Sequence, residues 1–308
     1  MLLSHISQEE LSHRLCNKGL VLRTGPFTFR LISELAHVGD SVRRLYAHYP
    51  VFDSDEFAHY TVHLKHGPGL RRWVRRQVRF GYEGQFPFEP LPFTHAFPQL
   101  EWAMNWCIST QAHQYLIFHA ATIERDGKAV IMPAPSGSGK STLCAALIHR
   151  GWRLISDELA LISLTDQTVV PLARPVSLKN SSIAIIQAYV PEAVMSDITL
   201  DTVKGTVAHM KVPDAHIANM STPSTPTWII FPKYVANAKP QLSSVSKAHT
   251  LVELARNSFN YALHGKTGFD TLSKLLEKCD CFTFEYSQLD DAVATFDNLA
   301  SPSRTVSS

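Results

Sequence analysis

Hydrophobic and polar residues change period several times along this chain, and each change marks an element. In "FAHYTVHLK", Ala58, Tyr60, Val62 and Leu64 alternate with more polar neighbours, the period of a strand with one buried face. The "HGPG" that follows reads as a turn. "QLEWAMNWCISTQAHQ" carries helical spacing, and a polar helix is expected near the start of the chain. "YLIFHAATIERDG" reads as a strand followed by a turn strand, with His119 at its centre. "KAVIMP" predicts a short buried strand after the turn at Arg125 to Gly127. "STLCAALIHRG" then places Leu143, Ala146, Leu147 and Arg150 at i, i+3, i+4 and i+7 of a helix that Gly151 is placed to end. In "WRLISDELALI" a strand through Trp152, Leu154 and Ile155 leads into Asp157 and Glu158. Toward residue 300, strands ("TWIIFP", "CFTFEYS") mix with helices ("HTLVELARNSF", "FDTLSKLLEKC", "LDDAVATFDNLA"), and no internal repeat is evident.

These patterns predict an α/β protein in three regions. Residues 1–98 form an N-terminal α+β module that closes in a linker, 99–302 form the main domain, and 303–308 form a disordered tail. The linker, "EGQFPFEPLPFTHAFP", is rich in proline and phenylalanine. Its aromatics are costly to leave in water, so it is expected to pack across the two domains. Just before it, "LRRWVRRQVRF" holds Arg71, Arg72, Arg75, Arg76 and Arg79 and is expected to be a strand. It is either a solvated hairpin or a docking surface for an acidic partner or phosphate groups, and the hairpin is the commoner outcome for surface arginines.

Composition narrows the class. The 308 residues, 45% apolar, can close a substantial core, and a net charge of +2 supplies no global field for nucleic acid or membrane. The first residues lack the hydrophobic segment of a signal peptide, and no apolar stretch approaches the roughly 20 residues of a membrane helix. Five scattered cysteines fit reduced thiols, so the expectation is a cytoplasmic protein with no nucleic-acid or membrane partner. His59 with His63 and Cys279 with Cys281 lack the further ligands of a zinc site.

The chemistry concentrates in "APSGSGKS". The P-loop pattern G-x-x-x-x-G-K-[ST] is met at Gly139, Lys140 and Ser141, with Ala134 standing at the first glycine. In that pattern Gly137 and Gly139 let backbone N–H groups turn toward phosphate oxygens, Lys140 reaches the β- and γ-phosphates, and Ser141 offers a hydroxyl to Mg²⁺. The first position has only to leave the strand, so a methyl group there is a mild departure. A match this loose arises by chance in roughly 2% of chains this long, and a strand before it and a helix after it lower that further. The candidate ATP-binding residues are Ala134, Pro135, Ser136, Gly137, Ser138, Gly139, Lys140, Ser141 and Thr142. Asp157 and Glu158 follow at the distance from which a carboxylate at a strand end faces the phosphates, so Ser141, Asp157 and Glu158 are the candidate Mg²⁺ ligands. The loops "ARPVSLKN" and "KGTVAHM" could close over phosphates or substrate, with Arg174, Lys179 and Lys204 the residues to test.

The block "HAATIERDGKAVIMPAPSGSGKSTLCAALIHRGWRLISDELALI" resembles the catalytic core of the HPr serine kinase/phosphorylase family. More closely, and over most of the chain including "LEWAMNWC" and "KGTVAHM", the sequence resembles the group called HprK-related kinase A. The resemblance implies a P-loop core of the HPr kinase and phosphoenolpyruvate-carboxykinase type and ATP-dependent phosphorylation of a hydroxyl, typically a protein serine. It carries the family histidine onto His119 and the paired aspartates onto Asp157 and Glu158, the first as base on the attacking hydroxyl and the second assisting. With Lys140 these are the candidate catalytic residues. Thr142 replaces the acidic residue that follows the loop serine in HPr kinases, the second aspartate has become Glu158, and the downstream signature that supports phosphorolysis has no match after residue 165. Kinase activity is therefore expected over phosphorylase activity, with a protein or peptide acceptor for which HPr is a weak candidate; homo-oligomers are compatible with this reading. The alternatives are an ATP-binding regulatory or chaperone-like module without transfer, and a kinase of a small hydroxyl compound.

Overall fold

A computed structural model describes residues 1–135 and 137–301; Ser136 and the expected tail at 303–308 lie outside the described residues. The first segment holds α1 (Gln8–Cys16), β1 (Leu20–Thr24), β2 (Phe27–Ser33), α2 (Ala36–Tyr46), β3 (Val51–Phe52), β4 (Tyr60–His66), β5 (Gln77–Tyr82), β6 (Leu91–Pro92) and α3 (Ala96–Gln111). Next come β7 (Tyr115–Arg125), β8 (Lys128–Pro133), α4 (Lys140–Ile148), β9 (Arg153–Ser156), β10 (Leu159–Ser163) and β11 (Val169–Val170). A third stretch holds β12 (Val176–Lys179), α5 (Ser181–Tyr189), β13 (Thr199–Thr202), β14 (Gly205–Met210) and α6 (Asp214–Ala218). The last holds β15 (Thr225–Tyr234), β16 (Gln241–Ser244), α7 (Lys247–Arg256), α8 (Tyr261–Lys278), β17 (Asp280–Tyr286) and α9 (Leu289–Ala300). Among the described residues no helix is long and apolar enough to cross a membrane.

The chain forms two compact units, and each is built from two segments. Residues 1–113 join with 170–222, and residues 114–169 join with 223 onward. Residues 99–113 and 170–222, expected in the main domain, thus cluster with the N-terminal segment.

In the first unit a six-stranded sheet runs β3-β1-β2-β4-β5-β6, and a three-stranded sheet runs β12-β14-β13. Tyr60, Val62 and Leu64 of β4 are buried as their alternation predicts. The basic segment is not one strand. Gly69, at φ +55, starts a 3-10 turn through Arg72, and β5 begins only at Gln77. Leu70, Trp73 and Val74 are exposed, so this stretch has no apolar face to bury against a sheet. Arg76 and Arg79 lie over the rings of Phe93 and Phe86. The aromatic linker is also part of this unit. Leu91 and Pro92 pair with β5, and Phe88 packs against Phe80 and Trp106.

"ARPVSLKN" and "KGTVAHM" are strands rather than loops. Val176 and Leu178 of β12 face Met210 and Ala208 of β14, and burial of these apolar positions sets the pairing. Arg174 is taken up beside them. Its guanidinium donates to the Glu101 carboxylate at 2.6 Å, to the Glu101 carbonyl at 2.9 Å and to Asn105 at 2.6 Å. The Tyr46 hydroxyl donates to the other Glu101 oxygen at 2.6 Å. Burial works against the charge of Arg174, but the Glu101 carboxylate outweighs it and holds the guanidinium above its ordinary range.

The second unit is a mixed sheet in the order β11-β10-β7-β8-β15-β17-β16, with β9 also paired to β7. β8, β15 and β17 are parallel, and β7 and β16 run against them. What was expected as a strand and a turn strand is the single long strand β7. Parallel strands are buried on both faces, which suits the unbroken apolar run of β8 and of "TWII" in β15. Their side chains join Leu254 of α7 and Leu272 and Leu275 of α8 in one core. After its polar first turn, α4 is apolar on every side and is buried along nearly its whole length, each large apolar side chain contributing about 1.5–3 kcal/mol. It ends at His149, two residues before the Gly151 expected to cap it; Gly151, at φ +91, turns the chain into Trp152.

Removing one partner of the Arg174–Glu101 pair leaves a charge uncompensated in the interior. Arg174→Ala is expected to lower unfolding free energy by about 3–5 kcal/mol, read from urea denaturation. The double variant Glu101→Leu with Arg174→Met should recover much of that loss. A loss below about 1 kcal/mol for Arg174→Ala would match an exposed pair instead.

Candidate functional site

The loop from Ala134 to Gly139 leaves the C-terminal end of β8 and delivers the chain into α4. Gly137 and Gly139 both adopt left-handed backbone, at φ +87 and +89. A Cβ on Gly137 would meet nothing, so there only the backbone conformation asks for glycine. At Gly139 space asks for it as well, because a Cβ would stand 2.5 Å from the Tyr286 hydroxyl and 3.1 Å from Tyr234 Cβ. The Tyr286 hydroxyl donates to the Gly139 carbonyl at 3.1 Å, and the Tyr234 N–H donates to the Ser138 carbonyl at 2.9 Å. The loop is thus tied to the C-terminal ends of β15 and β17. Burial holds the Tyr286 hydroxyl well above its usual pKa, so it stays a neutral donor. Gly139 is the N-cap of α4 and brings no side chain to it; the Ser138 hydroxyl accepts from the Lys140 N–H at 3.4 Å, and the positive end of the helix dipole favours an anion there. Ala134, at the position of the pattern's first glycine, is buried.

Strand directions bring a carboxylate to the same edge. β9 runs against β7, and β7 runs against β8, so β9 and β8 point the same way. The residue that leaves β9, Asp157, therefore emerges where the loop emerges. The Ser141 hydroxyl donates to Asp157 Oδ2 at 3.3 Å. From β7, His119 Nε2 stands 3.3 Å from Lys140 Nζ. Which of the two side chains donates there depends on the ring tautomer. Lys140 and Asp157 are 6% and 5% exposed, which makes this one of the few places in the unit where opposite charges are held out of water together. Burial, and after it the charge of Asp157, pushes the neighbouring Cys144 thiol well up, with Lys140 opposing. That cysteine is an inert filler.

Glu158 is half-buried, and its carbonyl accepts from the Ala120 N–H at 3.2 Å. The Ser156 hydroxyl accepts from the Leu159 N–H at 3.2 Å, shaping the bend that presents both acids. Thr142 is buried in the first turn of α4. His119 is fixed by its own N–H, which donates to the Asn257 carbonyl at 2.7 Å, and by the edge of the Phe259 ring.

His119, Lys140, Ser141 and Asp157 thus meet in one place within one unit. Arg174, Lys179 and Lys204 belong to the other unit. Arg174 is committed to Glu101, Lys179 ends β12, and Lys204 stands over the Trp102 ring. Sequence reasoning missed Tyr234, Tyr286, Asn257 and Phe259. For the tyrosines a signal existed, since each follows an apolar strand run that ends on an aromatic; for Asn257 and Phe259 none did.

The family model described as SynChlorMet cassette protein ScmC matches residues 99–175, a stretch that contains His119, the loop, Asp157 and Glu158. Among solved structures, the Hpr(Ser) kinase/phosphatase from Coxiella burnetii is similar at 13% identity and a TM-score of 0.27, over 59% of this chain and 96% of that one. No curated protein matches the chain.

Proposed function

We propose that the chain is an ATP-dependent kinase that transfers the γ-phosphoryl group of Mg-ATP to a hydroxyl, a serine of a protein or peptide being the acceptor class. The observation that carries this reading is the junction at the start of α4. A glycine-turned loop, a buried lysine and a helix N-terminus meet there, with the next side chain, Ser141, bonded to Asp157. The phosphates would lie on the loop N–H groups and the helix end, with Lys140 as the cation for the β- and γ-phosphates.

The residues present fit Mg²⁺. Ser141, Asp157 and Glu158 offer only oxygen, the donor that Mg²⁺ selects, and it is usually held by one or two carboxylates together with substrate phosphates. Among the described residues no group of three or more His, Cys, Asp and Glu side chains is placed to hold a metal by itself, which suits a metal that arrives with its nucleotide. When bound, the metal supplies positive charge across the β- and γ-phosphates.

In the transfer, the acceptor oxygen forms a bond to the γ-phosphorus as the bond to the β,γ-bridging oxygen breaks, and ADP leaves. The acceptor's proton passes to the Asp157 carboxylate. Lys140 balances the charge on the departing ADP, and His119 holds the Lys140 side chain in place. Such a transfer asks mainly for positioning and electrostatics, which buried, mutually bonded groups provide. Asp157 also contacts the loop serine, the geometry by which a P-loop acid shares a metal with that serine; this supports a metal-facing role for the same carboxylate.

Lys140→Ala is expected to weaken Mg-ATP binding about 10- to 100-fold by calorimetry, the scale of a lost charge-assisted hydrogen bond. Ala134→Gly should stay close to the parent. Unchanged affinity in a folded Lys140→Ala protein would sink the phosphate-loop assignment.

Asp157→Asn keeps the side chain's shape and removes its charge. If the proton-accepting role dominates, Mg-ATP still binds within a few fold while acceptor-dependent ADP release falls roughly 10²-fold or more. If the metal-facing role dominates, Mg²⁺ dependence and ATP affinity shift together with turnover. Near-normal transfer to a verified acceptor would remove Asp157 from the mechanism and favour an ATP-binding module.

A further inference from the structure

The candidate loop has two flanks of opposite chemistry. β8 lies between β7 and β15 in the sheet. On the β7 side stand the charged and titratable groups, with His119 against Lys140 and Asp157 against Ser141. On the β15 side stand two tyrosines, each the last residue of a strand parallel to β8 or to its neighbour, with the exposed Lys233–Glu285 ion pair one residue before them.

We infer that Tyr234 is the stacking platform for the base of the bound nucleotide, a subsite that rests on the ATP reading above. A triphosphate laid across the start of α4 with its terminal phosphate among Lys140, His119 and Asp157 sends its nucleoside end toward the opposite flank. The two tyrosines there differ in role. Tyr286 is 2% exposed and spends its hydroxyl on the Gly139 carbonyl, so it supports the loop. Tyr234 is 53% exposed. Its backbone N–H is bonded to Ser138, and its ring meets the Tyr286 ring edge-on at 6.1 Å between centroids. An aromatic ring that is open to water yet anchored to the phosphate loop through its backbone is preorganised for a planar ligand, and stacking on it costs little conformational entropy. Stacking reads the face of a base and not its edge, so this subsite discriminates little among nucleoside bases.

The test compares two ligands that share phosphates and differ in the nucleoside: Mg-ATP and inorganic tripolyphosphate with Mg²⁺, measured by calorimetry on the full chain. Tyr234→Ala suits the purpose because it keeps the Cβ beside Gly139 and the N–H to Ser138. The expected result is roughly tenfold weaker ATP binding, within the range of base–aromatic stacking, with tripolyphosphate affinity unchanged and Tyr234→Phe close to the parent. Equal weakening of both ligands would overturn the inference, since the ring would then be shaping the loop. Unchanged ATP affinity in Tyr234→Ala would overturn it too, as would parent protein that binds tripolyphosphate as tightly as ATP, which leaves the phosphate reading standing. Parent protein that binds neither ligand removes the phosphate reading and this subsite together.

Discussion

At Gly139 the backbone passes so close to the ends of β15 and β17 that no side chain fits, and its φ of +89 is one that glycine alone adopts without strain. The contact fixes where α4 begins relative to the sheet. Lys140 is the next residue and Ser141 the one after, so the positions of both follow from that single close approach. Displacing the loop by the width of a methyl group would move the lysine from His119 and the serine from Asp157, two contacts of 3.3 Å with little slack. The tyrosine hydroxyl on the Gly139 carbonyl and the backbone bond to Ser138 hold the approach in place.

Around that junction the sheet has to keep charges out of water, which succeeds only where they hold one another. The direction of β7 makes this arrangement. As the antiparallel strand between β8 and β9, it sets those two parallel, so loop and carboxylate emerge at the same edge, and it contributes His119 from its own middle. The His119 ring gives the buried Lys140 side chain a polar partner within the same unit. The same edge takes the positive end of the α4 dipole, which together with the Lys140 side chain favours an anion there.

The local period of the sequence predicts β8, α4, the strand into Asp157 and the helices after 247, because each is an unbroken apolar pattern whose burial depends on its own residues. It fails where partners decide. Arg71 to Arg79 has the length of a strand, but Leu70, Trp73 and Val74 have nothing to pack against, so the chain turns instead. "ARPVSLKN" and "KGTVAHM" look like loops singly and become strands because each supplies the other's ladder. Arg174 reads as a phosphate ligand by residue type, yet a carboxylate on α3 that no local window contains takes it up. Within the candidate site, the residue types and order around the loop are visible in sequence, whereas the meeting of His119 with Lys140 depends on strand direction and is not.

The flank with the tyrosines is hidden from a local reading for a further reason. β8 is completed by β15, and the paired residues Ile131 and Ile229 are about a hundred positions apart, with residues 170–222 folded into the other unit between them. Closing a flexible loop of that length costs roughly 4 kcal/mol in chain entropy. The ends of the excursion are clamped: the Val169 N–H donates to the Ser224 carbonyl at 2.9 Å, and the Ser224 N–H donates back to the Val169 carbonyl at 3.0 Å. Arg153, at the start of β9, adds a bond to the Ser224 hydroxyl at 2.8 Å. The strand that carries Asp157 at its far end thus also holds the point where the chain re-enters the unit, one residue before β15 begins. Tyr234 stands at the other end of β15, beyond a register shift between Pro226 and Trp228, so its place against Gly139 is held by its own N–H bond to Ser138, and the two flanks of the site are joined through the strands between them.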